Sequence, residues 1–285
     1  MKRIAAIAVA AALLGGCAAP LDEGYRREVE RWRAEREERL RAPDGWLTLT
    51  GLAWLAPGEN TFGSAPDNAV VLADGPPHAG LFVLDGSRVV VRDERGDREL
   101  RPDTSGRPDV LEVGRLRLTV IERVGKYGIR VKDPESPVRT GFRGLSWYPV
   151  DAAWRIDAEF EPYDPPREIE IATQAQTVER MRVPGRVRFR AAGREVTLTP
   201  VTEEGDEGLF FIFRDATSGR ETYGAGRFLG AEAPRGGRVT LDFNKAYNPP
   251  CVFTEYATCP LPPRENWLPV AVEAGEKTYA GSHGE

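Results

Sequence analysis

The chain has 285 residues, 41% hydrophobic and 29% charged, with 30 glycines, 23 prolines and a formal net charge of −5. That length and balance exclude a mini-protein, a disordered chain, a coiled coil and a polytopic membrane protein, and leave one large or two small turn-rich domains. An acidic surplus with both signs interspersed is poorly suited to a polyphosphate backbone, so no nucleic acid is expected as a partner.

Lys2 and Arg3 precede an apolar run from Ile4 to Leu14 that ends in Gly15-Gly16-Cys17, the order of a charged region, a short apolar region and a small-residue cleavage site. The run is too short for a bilayer core of about 30 Å, which takes about 20 residues. Leu14-Gly15-Gly16-Cys17 resembles the bacterial lipoprotein signal, which implies removal of residues 1–16 and lipidation of Cys17. Ala18 and Ala19 stand where such families place the Asp of inner-membrane retention, so the implied address is the periplasm-facing side of the outer membrane. With Cys17 committed to lipid, Cys251 and Cys259 are the disulfide expected in an oxidising compartment. So short a loop would stabilise by about 2.5 kcal/mol in the chain-entropy description. Two free buried thiols are the alternative; a metal pair lacks further ligands, because the chain has two histidines and no second Cys pair.

Residues 17–44 form a tether and one helix. From Asp22 to Arg41, Tyr25, Val29, Trp32 and Leu40 share a face, while Glu23/Arg27 and Glu35/Arg39 stand at i,i+4 spacing. From Gly45 the period becomes that of strands. Trp46-Leu47-Thr48-Leu49 opens the series, and Leu81–Leu84 and Val89–Val91 flank the hairpin signal Asp85-Gly86-Ser87. Leu116, Leu118 and Val120, then Ile129 and Val131, alternate with polar residues. A Trp-Tyr-Pro-Val-Asp stretch ending at Asp151 interrupts the pattern, and a second series follows: Trp154 to Phe160, Val187 with Phe189, Leu209–Phe213, Glu221–Leu229 and Val239–Phe243. The expected fold is mainly β, antiparallel sandwich-like or barrel-like modules over residues 45–150 and 151–280, with one N-terminal α-helix and a tail at 281–285.

Asp242-Phe243-Asn244-Lys245-Ala246-Tyr247-Asn248-Pro249-Pro250-Cys251, continuing to Cys259-Pro260-Leu261-Pro262-Pro263-Arg264-Glu265-Asn266-Trp267, holds paired prolines that forbid a regular helix or central strand. It is expected to be an ordered loop whose polar groups need partners where buried. These strings, with Ala274-Gly275-Glu276-Lys277, Asp44-Gly45-Trp46-Leu47, Arg130-Val131-Lys132-Asp133 and the run from Asp215 to Tyr223, resemble a bacterial and archaeal domain-of-unknown-function family, number 1684, over about residues 27–279. The family name implies no activity. Gly63-Ser64, Asn68, Val70-Val71-Leu72 and His78-Ala79 resemble the frame of forkhead-associated phosphothreonine readers. Ser64 and Pro76-Pro77 replace the phosphate-binding side chains of that frame, so the resemblance implies a shared sandwich and a structural His78.

Nucleotide-binding fingerprints are absent, with Gly224-x-Gly226 assigned to a strand. A Ser-His-Asp triad could draw only on His78 or His283, without a nucleophile elbow. Arg123 and Arg130 bracket a Gly-Lys-Tyr-Gly turn, and Tyr223 and Arg227 are read as one strand face. Arg, Tyr and Asn in such a cluster bind carboxylate, phosphate or sugar, or else pair internally with Asp133, Asp215 or Asp242. The candidate ligand residues are therefore Arg123, Arg130, Tyr223, Arg227, Asp242, Asn244, Tyr247, Asn248, Glu265 and Asn266. They describe a binding module for a small polar or anionic ligand, without metal or cofactor, in a pocket closed by the loop from Asp242 to Asn266. A metal-independent hydrolase or lyase using Asp/Glu and Tyr, and an envelope-assembly scaffold, are the other two classes.

Overall fold

A computed structural model describes residues 22–202 and 208–281; the expected signal segment, Cys17 and His283 lie outside the described residues. Helix α1 (Glu23–Arg41) begins where Asp22 Oδ1 accepts the Gly24 N–H at 2.8 Å, with Glu23 in its first turn and Arg39 and Arg41 in its last. It buries Tyr25, Val29 and Leu40. Its ion pairs differ from the expected i,i+4 set: Arg26 reaches Glu23 and Glu30, and Arg41 reaches Glu37. Arg39 forms no ion pair with a described residue. No described helix is long and apolar enough to cross a membrane.

Trp46–Thr48 is a 3-10 turn rather than the start of a strand. Gly45 is confined there against the carbonyls of Arg39 and Leu40, where a Cβ would approach within 2.6 Å, and the chain extends only afterwards. The first strand series is β1 (Leu49–Trp54), β2 (Gly58–Gly63), β3 (Val70–Val71), β4 (Gly80–Asp85), β5 (Arg88–Asp93), β6 (Gly96–Leu100), β7 (Val110–Val113), β8 (Leu116–Arg123) and β9 (Lys126–Lys132). Two sheets result, β3-β2-β4-β5-β6 and β1-β9-β8-β7, antiparallel apart from the β2–β3 pair. The expected hairpin is β4–β5, with Asp85 opposite Arg88. Alternating apolar residues, among them Phe62, Phe82, Val91, Leu118 and Ile129, fill one core between the sheets. His78 is exposed, 3.9 Å from Asp67, and Ser64 and Asn68 side chains bond to loop carbonyls.

Carboxylates edge this first series. Arg115 holds Asp133 through Nε and Nη2 at 2.9 Å, and Arg101 holds Asp109 at 2.8 Å. Hydrogen bonds from these guanidinium groups keep both carboxyls below the ordinary range, Asp109 down to about 2. A depressed folded-state pKa contributes stability that is full above the unfolded value of about 3.9 and is lost as pH falls through the folded value. Arg115→Ala is therefore expected to move the midpoint of acid unfolding to higher pH, read by circular dichroism between pH 5 and 2. An unshifted midpoint would refute this role for the pair.

After a short helix α2 (Pro137–Thr140), the second series is β10 (Arg155–Ala172), β11 (Val178–Ala191), β12 (Arg194–Leu198), β13 (Leu209–Phe213), β14 (Arg227–Ala231) and β15 (Arg238–Asp242). They form the sheet β12-β11-β10-β15 and the ribbon β13-β14. On their wet face Arg186 and Arg188 pair across the ladder with Glu161 and Glu159. On the other, Val187, Phe189, Phe211, Phe213 and Leu241 pack around Phe243. The expected return strand Glu221–Leu229 is shorter: residues 217–226 turn repeatedly, with Gly226 at φ +100° under Phe213 O, and extension starts at Arg227. The fold is thus mainly β with several antiparallel sheets and, among the described residues, no closed barrel. The two series meet at β1, where Leu49 packs with Ile171 and Val183 and its carbonyl accepts from Thr254 Oγ1 at 3.1 Å.

Candidate functional site

A cleft of about 1040 Å³ opens along this seam. One wall comes from β8 and β9, the other from β10 and β11, and Pro250 with Thr258–Pro260 of the Pro-rich loop close it. Ile129 and Val131 face the first core, so strand alternation turns Arg130 to the opposite face, toward the cleft. Arg123, at the end of β8, bonds Asp103 at 2.8 Å and Thr258 Oγ1 at 3.4 Å. Asp103 is thereby committed, and Arg130 Nη1 lies 3.9 Å from it.

Arg130 is the anomaly of the cleft. It is only 9% exposed, yet its Nε and Nη2 have no hydrogen-bond partner among the described residues. No other described residue leaves two buried polar atoms unmet. Nε–H and one N–H of Nη2 lie on the same edge of the planar guanidinium, the edge that grips a carboxylate or phosphate with two parallel bonds. Its neighbours are the Trp46 ring, 5.3 Å from the guanidinium carbon, and Cys259. Burial, reinforced by the charge of Arg123, pushes its pKa down, opposed by Asp103. Each unmet buried donor costs about 1–3 kcal/mol, a cost that an entering anion removes.

Of the residues expected to bind ligand, Arg123 and Arg130 line this cleft, and Tyr247 lines a second cavity on the other side of Trp46. Of the rest, Arg227, Tyr223, Asp242, Asn244, Asn248 and Asn266 are held by contacts within the protein. Arg227 is fully buried, its Nη2 2.9 Å from Asp215 Oδ2 and from Val272 O, with Nη1 donating to Ala274 O. Tyr223 lies in a turn, not on a strand face with Arg227, and its hydroxyl reaches Cys251 O at 3.4 Å. Asp242 Oδ1 accepts the Tyr25 hydroxyl at 2.7 Å, and Asn244 donates to that same hydroxyl and to Asp151 O, fastening α1 to the body. Asn248 donates to Glu276 Oε1 at 2.8 Å, and Arg36 grips Glu276 Oε2 at 2.6 Å. Burial pushes the Glu276 carboxyl up against the opposing pull of Arg36, and Glu276 lies outside the cleft. Asn266 meets Thr199 N–H, Thr199 O and Ile212 O, while Glu265 is exposed near Arg167.

The loop from Asp242 to Asn266 thus contributes part of a cleft wall and otherwise an internal hydrogen-bond lattice. Gly275 completes that lattice at φ +80°, where a Cβ would stand 2.5 Å from Ala246 O. Cys251 and Cys259, expected to be bonded, are free thiols. Cys259 Sγ accepts the Cys251 N–H at 3.2 Å. Among the described residues no group of three or more His, Cys, Asp or Glu is placed to hold a metal.

Sequence reasoning did not assign Trp46, Asp103 or Lys132 to a site. Trp46 carried a signal, standing 38% exposed in a turn between Gly45 and Leu47 of a string singled out for its resemblance. A family model described as a protein of unknown function, DUF1684, matches residues 140–277. That span is narrower than residues 27–279, and the strings around Trp46 and Arg130 lie outside it. Among solved structures, the solution NMR structure of an uncharacterized protein from Haloarcula marismortui is 34% identical, covering 52% of this chain and 82% of that one, with a TM-score of 0.43. No curated protein matches the chain.

Proposed function

The chain belongs to the family of proteins of unknown function DUF1684, and since that name carries no activity we propose its function from the cleft: it binds a small anionic molecule. The observation that supports this reading is the buried, unmet Nε/Nη2 edge of Arg130 in a cleft of about 1040 Å³, the size class of small-molecule sites. Trp46 offers an apolar face beside it; Arg123 is already paired with Asp103, and although the lining carries as many carboxylates as arginines, Arg130 is the cation there with a buried donor edge left unmet. In the proposed setting the domain is a lipid-anchored, periplasm-facing envelope protein of two β modules, and the seam between their strand series presents the site to solvent.

The test is a thermal-shift titration of the wild-type protein and Arg130→Met with acetate, benzoate, phosphate and sulfate. Ligand at a hundred times its Kd stabilises a protein by about 2.7 kcal/mol, a shift of several degrees at this size. At least one anion is expected to shift the wild type and leave Arg130→Met unmoved. Equal shifts in both proteins would overturn the reading.

A further inference from the structure

We propose that the ligand carries two anionic groups, one held by Arg130 and the other by Lys132 and Arg39 in the second cavity, with its body lying across Trp46; this rests on the anion-binding reading of the Arg130 cleft. Arg130 and Lys132 are two residues apart on β9, so both project from the same face about 7 Å apart at the backbone. Trp46 lines the Arg130 cleft and also the second cavity, of about 520 Å³, which Lys132 lines. Trp46 is therefore shared by the two compartments, and its exposed part is the surface along which one ligand could reach both.

The second compartment holds four cationic side chains against one carboxylate. Arg36, Arg39, Lys132 and Lys245 line it, with Asp44 as the acidic member. Arg36 is neutralised by Glu276, and Lys245 by Glu28 and Asp242. Lys132 is not: its ammonium donates to the Asp44 backbone carbonyl and forms no ion pair with a described residue. Burial and the charge of Arg130 push its pKa down, opposed by Asp44 and reinforced by Arg117. Arg39 is exposed and likewise has no ion pair with a described residue. Two uncommitted cations around one acid, next to Trp32 and Tyr247, make a compartment that favours a second anion with an apolar body between.

The experiment is isothermal titration of the wild type, Arg130→Met and Lys132→Met with straight-chain alkanedioates of four to ten carbons and with monocarboxylates of matched length. In the wild type, dioate affinity is expected to peak at one chain length, about ten-fold or more above the matched monocarboxylate, because the second contact is intramolecular once the first is made. Lys132→Met is expected to cost the best dioate about ten-fold or more, bringing it toward the monocarboxylate level, a clearly larger loss than it causes for the matched monocarboxylate. Monocarboxylate binding that depends on Arg130, with no dioate advantage at any length, would overturn the two-anion ligand alone. Absence of binding by either series would overturn both it and the reading on which it rests. Equal weakening of both series by Lys132→Met would also contradict the assignment, since it would show the lysine supporting the Arg130 compartment.

Discussion

Arg227→Ala is expected to destabilise the protein by about 3–5 kcal/mol, the range for breaking a buried ion pair from one side. The replacement would leave the Asp215 carboxylate at zero side-chain exposure with its cation gone, and the carbonyls of Val272 and Ala274 without their donors. Against a total stability of about 5–15 kcal/mol, that loss removes most of the margin of a marginal domain. Urea denaturation should show a lower midpoint at an unchanged slope. Arg227→Lys should lose much of the same stability, because one ammonium cannot span a carboxylate and two carbonyls. A loss below about 1 kcal/mol for the alanine variant would contradict the role of Arg227 as an internal tie.

Arg130→Met is expected to act with the opposite sign. This arginine makes no hydrogen bond through Nε or Nη2 to a described residue, stands 3.9 Å from an Asp already taken by Arg123, and sets its guanidinium over the Trp46 ring. Replacing an uncompensated buried cation by an apolar side chain of similar length should stabilise by about 1–3 kcal/mol. At this size the melting temperature should rise by about 2–4 °C for each kcal/mol. Stability gained by deleting a residue is the mark of a group kept for binding at the expense of the fold. A lower melting temperature would show that Arg130 holds the seam together.

The same two arginines show what was legible beforehand. Strand alternation placed Ile129 and Val131 inward and Arg130 outward from the first sheet, and that held. Alternation reports a face and not what packs against it, so it could not say that the outward face of β9 meets a cleft while the side chain of Arg227 meets Asp215. The polar density from Asp242 to Asn266 is visible in the sequence, and the structure pairs most of its side chains internally for a physical reason. Prolines remove backbone donors, and an irregular buried loop must satisfy its remaining groups through side chains, as Asn244, Asn248 and Asn266 do. A binding loop and a self-paired loop therefore share one composition. Trp46-Leu47-Thr48 had a strand-like pattern, yet the crowding of Gly45 against the end of α1 winds it into a 3-10 turn. Two free thiols stand where a disulfide was expected, because spacing in sequence sets loop length and not the bond between sulfurs.

Native mass spectrometry of the protein purified from its source, with a denaturing step to release and identify any adduct, decides whether the Arg130 cleft holds an anion. A reproducible small acidic adduct is expected on the wild type and its loss is expected from Arg130→Met, a variant expected to be at least as stable. A wild-type protein free of any adduct, or an adduct retained at equal occupancy by Arg130→Met, would contradict anion binding in the Arg130 cleft.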